Sequence, residues 1–316
     1  MPVDLLNRRL LFVTGKGGVG KSTVAASLGM VAADQGKRTL VCEVDAKGNL
    51  ADFFEVDRTG FKPRQLQDDL FVMSMDTEES LKEYLRLQLK VPLVGKIGPV
   101  ARTLDYAANA LPGVKEILTI GKLCWEVRER NYDLVVVDSV ASGHIIGQLA
   151  AAEGINELVQ VGIVRNQTQW MLDLLNDART TGVVIVSAPE EMPVNETLEL
   201  AGRINAETDV DIAAVVVNRV LPELFARGEE AIFDRLRQPA LATALSSAAS
   251  GDASTVLEGA ELAITLRRTR AGHLARLREE LPGNIPQLYV PYLFSRSHGV
   301  RATRQIAEAL SQELGY

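Results

Sequence analysis

Seven short apolar runs set the terms for any fold this chain can adopt: LLFVT (10–14), RTLVCEV (38–44), LFVMSM (70–75), DLVVVD (133–138), GVVIVSA (182–188), IAAVVVN (212–218) and QLYVPY (287–292). They are rich in β-branched residues, too short for helices, and free of polar–apolar alternation, so they read as strands covered on both faces. Helical patterns lie between them. This alternation predicts an α/β fold, a doubly wound, mainly parallel sheet wrapped by helices. Two intervals, about 77–130 and 221–281, exceed a simple crossover and read as helical insertions in a single domain spanning 1–316. In the second, SSAASGDAS is a small-polar break between two helices and LPG ends the later one. A helical hairpin forming a lobe is expected there.

The first run leads into Gly15-Lys16-Gly17-Gly18-Val19-Gly20-Lys21-Ser22, which fits G-x-x-x-x-G-K-[ST] and precedes the helical stretch STVAASLGMVAADQG. A strand before such a loop and a helix after it is the setting of a nucleotide-phosphate site. Glycines let backbone N–H groups turn towards phosphate oxygens, and the helix start adds the positive end of its dipole. Lys21 is expected to reach the β- and γ-phosphates, with the Ser22 hydroxyl on Mg²⁺ and the Thr23 hydroxyl near the α-phosphate. Lys16 has no part in this cradle. Its side chain is expected to leave the loop near the γ-phosphate edge and point outward, either towards a second subunit or simply into solvent.

Composition narrows the partners. A net charge of −7 argues against nucleic acid and anionic lipid. Cys42 and Cys124 are far apart and outside any C-x-x-C, which excludes a disulfide framework and fits a reducing cytoplasm. No basic leader with a cleavable apolar stretch precedes the first run, and no run of 18 apolar residues occurs. A cytoplasmic protein without stable membrane anchoring is expected.

The K-G-G-V-G-K-[ST] wording resembles the deviant phosphate loop of MinD, ParA, the nitrogenase iron protein and the arsenical pump ATPases. That resemblance implies a dimer in which Lys16 crosses to the partner's nucleotide and offsets charge developing on the transferring phosphoryl group. DAKGNLADFF and DSVASGHIIGQL resemble the switch loops D-P-A-H-N-L-x-D and D-T-A-P-T-G-H of the arsenical pump-driving and tail-anchored-protein targeting ATPase family. Asp45, Asn49, Leu50 and Asp52 match the first, and Asp138, Gly143 and His144 the second. The family implies that Asp45 orients the attacking water and Asp138 supports Mg²⁺, placing Ser22, Asp45 and Asp138 on the metal side. Strand-end aspartates also cap helices. Ala46, Lys47 and Gly48 replace Pro-Ala-His in the first switch, and Val140 and Ala141 replace Ala-Pro in the second.

SAPEEMPVNETLEL resembles the family's P-E-x-x-x-x-x-E-T loop, and VVVNRV puts Asn218 at its adenine-reading asparagine. An amide can pair with a ring nitrogen and an exocyclic amine, although asparagine at a strand end is also a turn former. VPYLFSRSHGVRAT resembles the segment beside the base, with Pro291 and Tyr292 as neighbours, and ALPGVKEILTIGKL resembles the L-P-G-x-x-E helix. The whole wording is similar to paired actinobacterial members.

The resemblance implies hydrolysis of ATP to ADP and phosphate with Mg²⁺ by a nucleotide-switched homodimer, or a heterodimer with a paralogous subunit, of the type used in protein targeting or membrane-protein handling. About 40 residues separate His144 from Val183, too few for the long helical insert of the eukaryotic targeting factors, and their C-x-x-C is missing. No arsenite-binding cysteine cluster exists, so arsenite activation is not expected. A nitrogenase iron protein needs cluster cysteines that are absent. A MinD-like positioning ATPase would end in a basic amphipathic helix, unlike RATRQIAEALSQELGY, and a ParA-like one wants exposed basic surface. A slow or non-hydrolysing nucleotide-dependent scaffold is the remaining alternative. His144 is a surface residue or a partner contact, and His273 and His298 carry no ligand spacing.

Overall fold

The computed structural model describes residues 4–44, 49–88, 113–158, 163–223, 225, 228–248, 251–282, 285–294 and 299–316. Each of the seven apolar runs is a strand: β1 (Leu10–Gly15), β2 (Thr39–Glu43), β4 (Leu70–Ser74), β5 (Leu134–Asp138), β6 (Thr181–Ser187), β7 (Ile212–Val220) and β8 (Gln287–Pro291). An eighth, β3 (Arg64–Gln67), was not foreseen. Its RQLQ sequence is polar because it forms the sheet edge, pairing antiparallel with β4 alone. The order is β3-β4-β2-β5-β1-β6-β7-β8, and all pairs except β3–β4 are parallel.

Every residue of β1, β2, β5 and β6 is buried. This explains the missing period-2 alternation: successive side chains point to opposite faces, and both faces are covered. Leu11 and Val13 join the cluster beneath α1 (Lys21–Asp34) and α11 (Val300–Leu314). Leu10 and Phe12 join the opposite cluster, with α4 (Val114–Arg128), α5 (Ser142–Leu158) and α7 (Glu191–Glu207). A short α2 (Asn49–Phe53) follows β2, α3 (Thr77–Gln88) follows β4, and α6 (Ile163–Leu175) lies between α5 and β6.

Helix α11 is fastened to α1. Ile306 and Leu310 share its apolar cluster with Leu28 and Val31, and Ser27 Oγ donates to the Thr303 carbonyl at 3.0 Å. The start of α11 is met by Glu55, whose Oε1 accepts the Val300 N–H at 3.3 Å.

The interval 221–281 holds α8 (Glu229–Leu236), α9 (Pro239–Ala248) and α10 (Ser254–Glu280), with the expected break between α9 and α10. No residue of α9 is buried, and in α10 only Leu277 is. Leu281, just past its end, is buried too, whereas Leu266 is exposed, so α10 packs closely only at its C-terminal end.

Candidate functional site

The sheet reverses its winding at β1, whose neighbours are β5 and β6. In an open α/β sheet this switch point at the C-terminal strand ends is where ligands bind. The loop from Gly15 to Gly20 sits there. Gly15 adopts φ 144°, and a Cβ on it would lie 2.2 Å from the Val186 carbonyl oxygen. Gly20 adopts φ 98°, and a Cβ there would lie 2.3 Å from Asn218 Nδ2. Gly18 is left-handed at φ 85°, while a Cβ at Gly17 would meet nothing within 4 Å. Two of these glycines are therefore demanded by close neighbours as well as by backbone.

Helix α1 starts at Lys21 with Gly20 as its N-cap and no side-chain cap. Its first N–H groups and dipole end therefore face the loop, as anion binding requires. Lys21 Nζ donates to the Lys16 carbonyl at 3.2 Å, folded over the loop it is expected to serve, with Ser22 and Thr23 half-buried in the next positions. Val19 is buried beneath.

Asp138 ends β5 with 5% exposure, in the strand beside β1. The segment after it is pinned to β1, since Thr14 Oγ1 donates to the Val140 carbonyl at 3.1 Å and the Ser139 N–H to the Val13 carbonyl at 3.0 Å. Glu43, which sequence reasoning passed over, ends β2 in register with Asp138 and is 1% exposed. Ser74 Oγ donates to its Oε2 at 3.2 Å. A carboxylate closing a mainly apolar strand, one strand removed from β1, was its visible signal. The Ser22 hydroxyl and the Asp138 carboxylate are hard oxygen donors of the kind Mg²⁺ takes alongside nucleotide phosphates. Asp45, Ala46, Lys47, Gly48 and the side chain of Asn49 lie outside the described residues, as does His298.

Asn218 is buried in an irregular stretch of β7, where the register with β8 shifts between Val217 and Val220 and Arg219 has φ 61°. Its Nδ2 donates to the Val19 carbonyl at 2.8 Å and its Oδ1 accepts the Arg219 N–H at 2.9 Å. The amide is tied to the phosphate loop; one N–H and one lone pair are left over for a base. Pro291 pairs with Val220, and the Tyr292 N–H donates to the Val220 carbonyl at 2.8 Å, so Asn218, Pro291 and Tyr292 do converge at neighbouring strand ends. Tyr292 is exposed and lies against exposed Phe294 with the rings tilted at 60° and their centres 5.0 Å apart.

Lys16 departs from the expectation of a free outward side chain. Its Nζ lies 2.7 Å from Glu196 Oε1 on α7 and also contacts Met192 Sδ. Spacing within the loop could not show this, because the partners lie 176 and 180 positions away. His144 is exposed in the first turn of α5. Burial pushes the Cys42 and Cys124 thiols well above their ordinary range, so both are inert core residues.

The anion-transporting ATPase family pattern matches residues 8–172 and 157–237, a span holding the phosphate loop, Asp138, Glu196 and Asn218. The chain belongs to this family. It is therefore an ATP hydrolase with a P-loop fold. It is similar to the ATPase BagA of Mycobacterium tuberculosis, 30% identical across 70% of this chain and 68% of the relative. It also resembles the ATPase ASNA1 homolog 1 of Paramecium tetraurelia, 28% identical across 67% of this chain and 74% of that one. The ATPase get3 of Neurospora crassa is 25% identical across 69% and 75%. Among the described residues of the ATPase, no helix is long and apolar enough to cross a membrane.

Proposed function

We propose that this ATPase works with Mg²⁺ as a nucleotide-switched dimer of the arsenical-pump and tail-anchored-targeting type, in the cytoplasm, with a second copy or a paralogous subunit, and serves protein targeting or membrane-protein handling. The observation that carries the reading is the division between two lysines of one loop. Lys21 folds back over its own loop, while Lys16 leaves it and is held at the surface by α7. One cation serves the nucleotide in its own subunit, and the other is free to exchange a surface carboxylate for a partner's phosphate. Ser22 and Asp138 would hold Mg²⁺, which neutralises phosphate charge, with Asp45 orienting water. Asn218, Pro291 and Tyr292 would flank the base.

Nucleotide binding and turnover in two variants, alone and mixed, test this. Lys21→Ala is expected to lose nucleotide binding and turnover together, because the loop then places no charge between the β- and γ-phosphates. Lys16→Ala should bind nearly normally yet turn over up to ~10³-fold more slowly, as when a phosphoryl-clamping cation is removed. Mixing it with Asp45→Asn should restore activity at the one composite site where intact Lys16 faces intact Asp45. The mixing is done with the chain alone and with any co-purifying paralogous subunit. Equal loss of binding in both lysine variants, with no recovery on mixing, would confine Lys16 to its own loop.

A further inference from the structure

The residues that hold Lys16 also belong to a second junction. Met192 and Glu196 are one turn apart on α7 and both touch Lys16 Nζ. The residue next to Glu196 faces elsewhere: Asn195 Oδ1 accepts from Arg276 NH1 of α10 at 2.6 Å. Just ahead of the helix, Glu190 pairs with Arg270 of α10 at 3.6 Å. Consecutive helical side chains leave the axis about 100° apart. The first turns of α7 are thus held on one side by a cation from the nucleotide loop and on the other by two arginines of the exposed helix. Between these contacts Pro193, Val194 and Thr197 are buried, so this end of α7 is packed and its shifts are shared by Asn195 and Glu196.

We infer that Glu196 is a positioning residue for Lys16, and that α7 links the resting pose of Lys16 to α10 through Asn195–Arg276 and Glu190–Arg270. The inference rests on reading Lys16 as a cation destined for a partner's nucleotide, and adds a step to it: Glu196 must release the ammonium first. The pair is 25% and 35% exposed at its two side chains. An ion pair so open to water is weak, so a triphosphate can outcompete it. Any load that draws α10 away from α7 moves Asn195 and loosens Glu196 from Lys16. Conversely, release of Lys16 lets this end of α7 relax towards α10.

Lysine reactivity reads the hold directly, because an ammonium committed to a carboxylate acylates slowly. The full chain is pulsed with acetic anhydride, and Lys16 modification is measured by peptide mass spectrometry against exposed Lys62. Without nucleotide, Glu196→Gln should raise the Lys16 rate about two- to fivefold, the range for losing an exposed ion pair. Arg276→Ala, on a different helix, should raise it in the same direction by a smaller factor, and Arg276→Lys should return it towards wild type. Thermal melting confirms that each variant is folded, and Glu196→Asp gives a second, shorter carboxylate. Unchanged Lys16 reactivity in Glu196→Gln and Glu196→Asp overturns the positioning role. A change there with none in Arg276→Ala overturns the link to α10. A separate arm adds a non-hydrolysable ATP analogue with Mg²⁺: binding without protection of Lys16 sinks the cross-subunit reading of Lys16, while the nucleotide-free arms still decide the role of Glu196.

Discussion

The phosphate loop and the helices α8–α10 are both departures from the sheet, and they are built in contrary ways. The loop is met from several directions within a few residues: Val186 at Gly15, Asn218 at Val19 and Gly20, Lys21 at the Lys16 carbonyl, Glu196 at Lys16. The three helices bury little of themselves, with α9 contributing no buried residue and Val256 and Leu262 of α10 at 71% and 60% exposure. One region has its shape fixed by neighbours before any nucleotide arrives. The other is tied down chiefly where arginines of α10 reach α7, and its upper turns are held by surface ion pairs such as Arg268–Glu230 and Arg237–Glu261. Tolerance to substitution should divide along the same line.

The largest effect is expected beneath the loop. Phe12 is fully buried on β1, and Phe12→Ala should lower unfolding stability by about 3–5 kcal/mol through lost apolar burial and a cavity. Urea denaturation monitored by circular dichroism reads it, and a loss under about 1 kcal/mol would mean that the strand beneath the loop is far less tightly packed. Next comes Gly20→Ala, which strains a left-handed residue and drives a methyl into the Asn218 amide; about 1–3 kcal/mol should be lost, together with weaker nucleotide binding. Fluorescent-nucleotide titration beside thermal melting separates the two losses. Smallest is Leu262→Ala on α10, where stability should stay within about 0.5 kcal/mol because the side chain is already in water. A loss as large as that of Phe12→Ala would show that these helices are covered in solution, and the contrast would then fail.

The contrast also marks what the sequence made legible. β1, β2, β5 and β6 could be read because strands buried on both faces are written in unbroken apolar residues, and the glycine–lysine loop because its positive φ values and close neighbours admit few other residues. β3 escaped because an edge strand needs no apolar sequence. The hold on Lys16 escaped for another reason: Lys16 and Glu196 belong to two stretches 180 positions apart, and only the packing of α7 beside the loop brings them together. Asn218 could be placed near the end of its apolar run, but its hydrogen bond to Val19 depends on an irregularity in β7 that no local pattern announces.

The seat of α11 against α1 has a consequence in time. Ser27 and Thr303, which join the two helices, are separated by 276 positions. Leu28 and Val31 of α1 share their apolar cluster with Ile306 and Leu310, so one flank of the helix that follows the phosphate loop lacks this cover until residues 300–314 have been made. Contacts this distant in sequence close late, after most of the loop-closure entropy has been spent. On the ribosome the nucleotide-binding helix therefore stays unfinished until residues 300–314 have emerged, and capacity for ATP should appear abruptly only then.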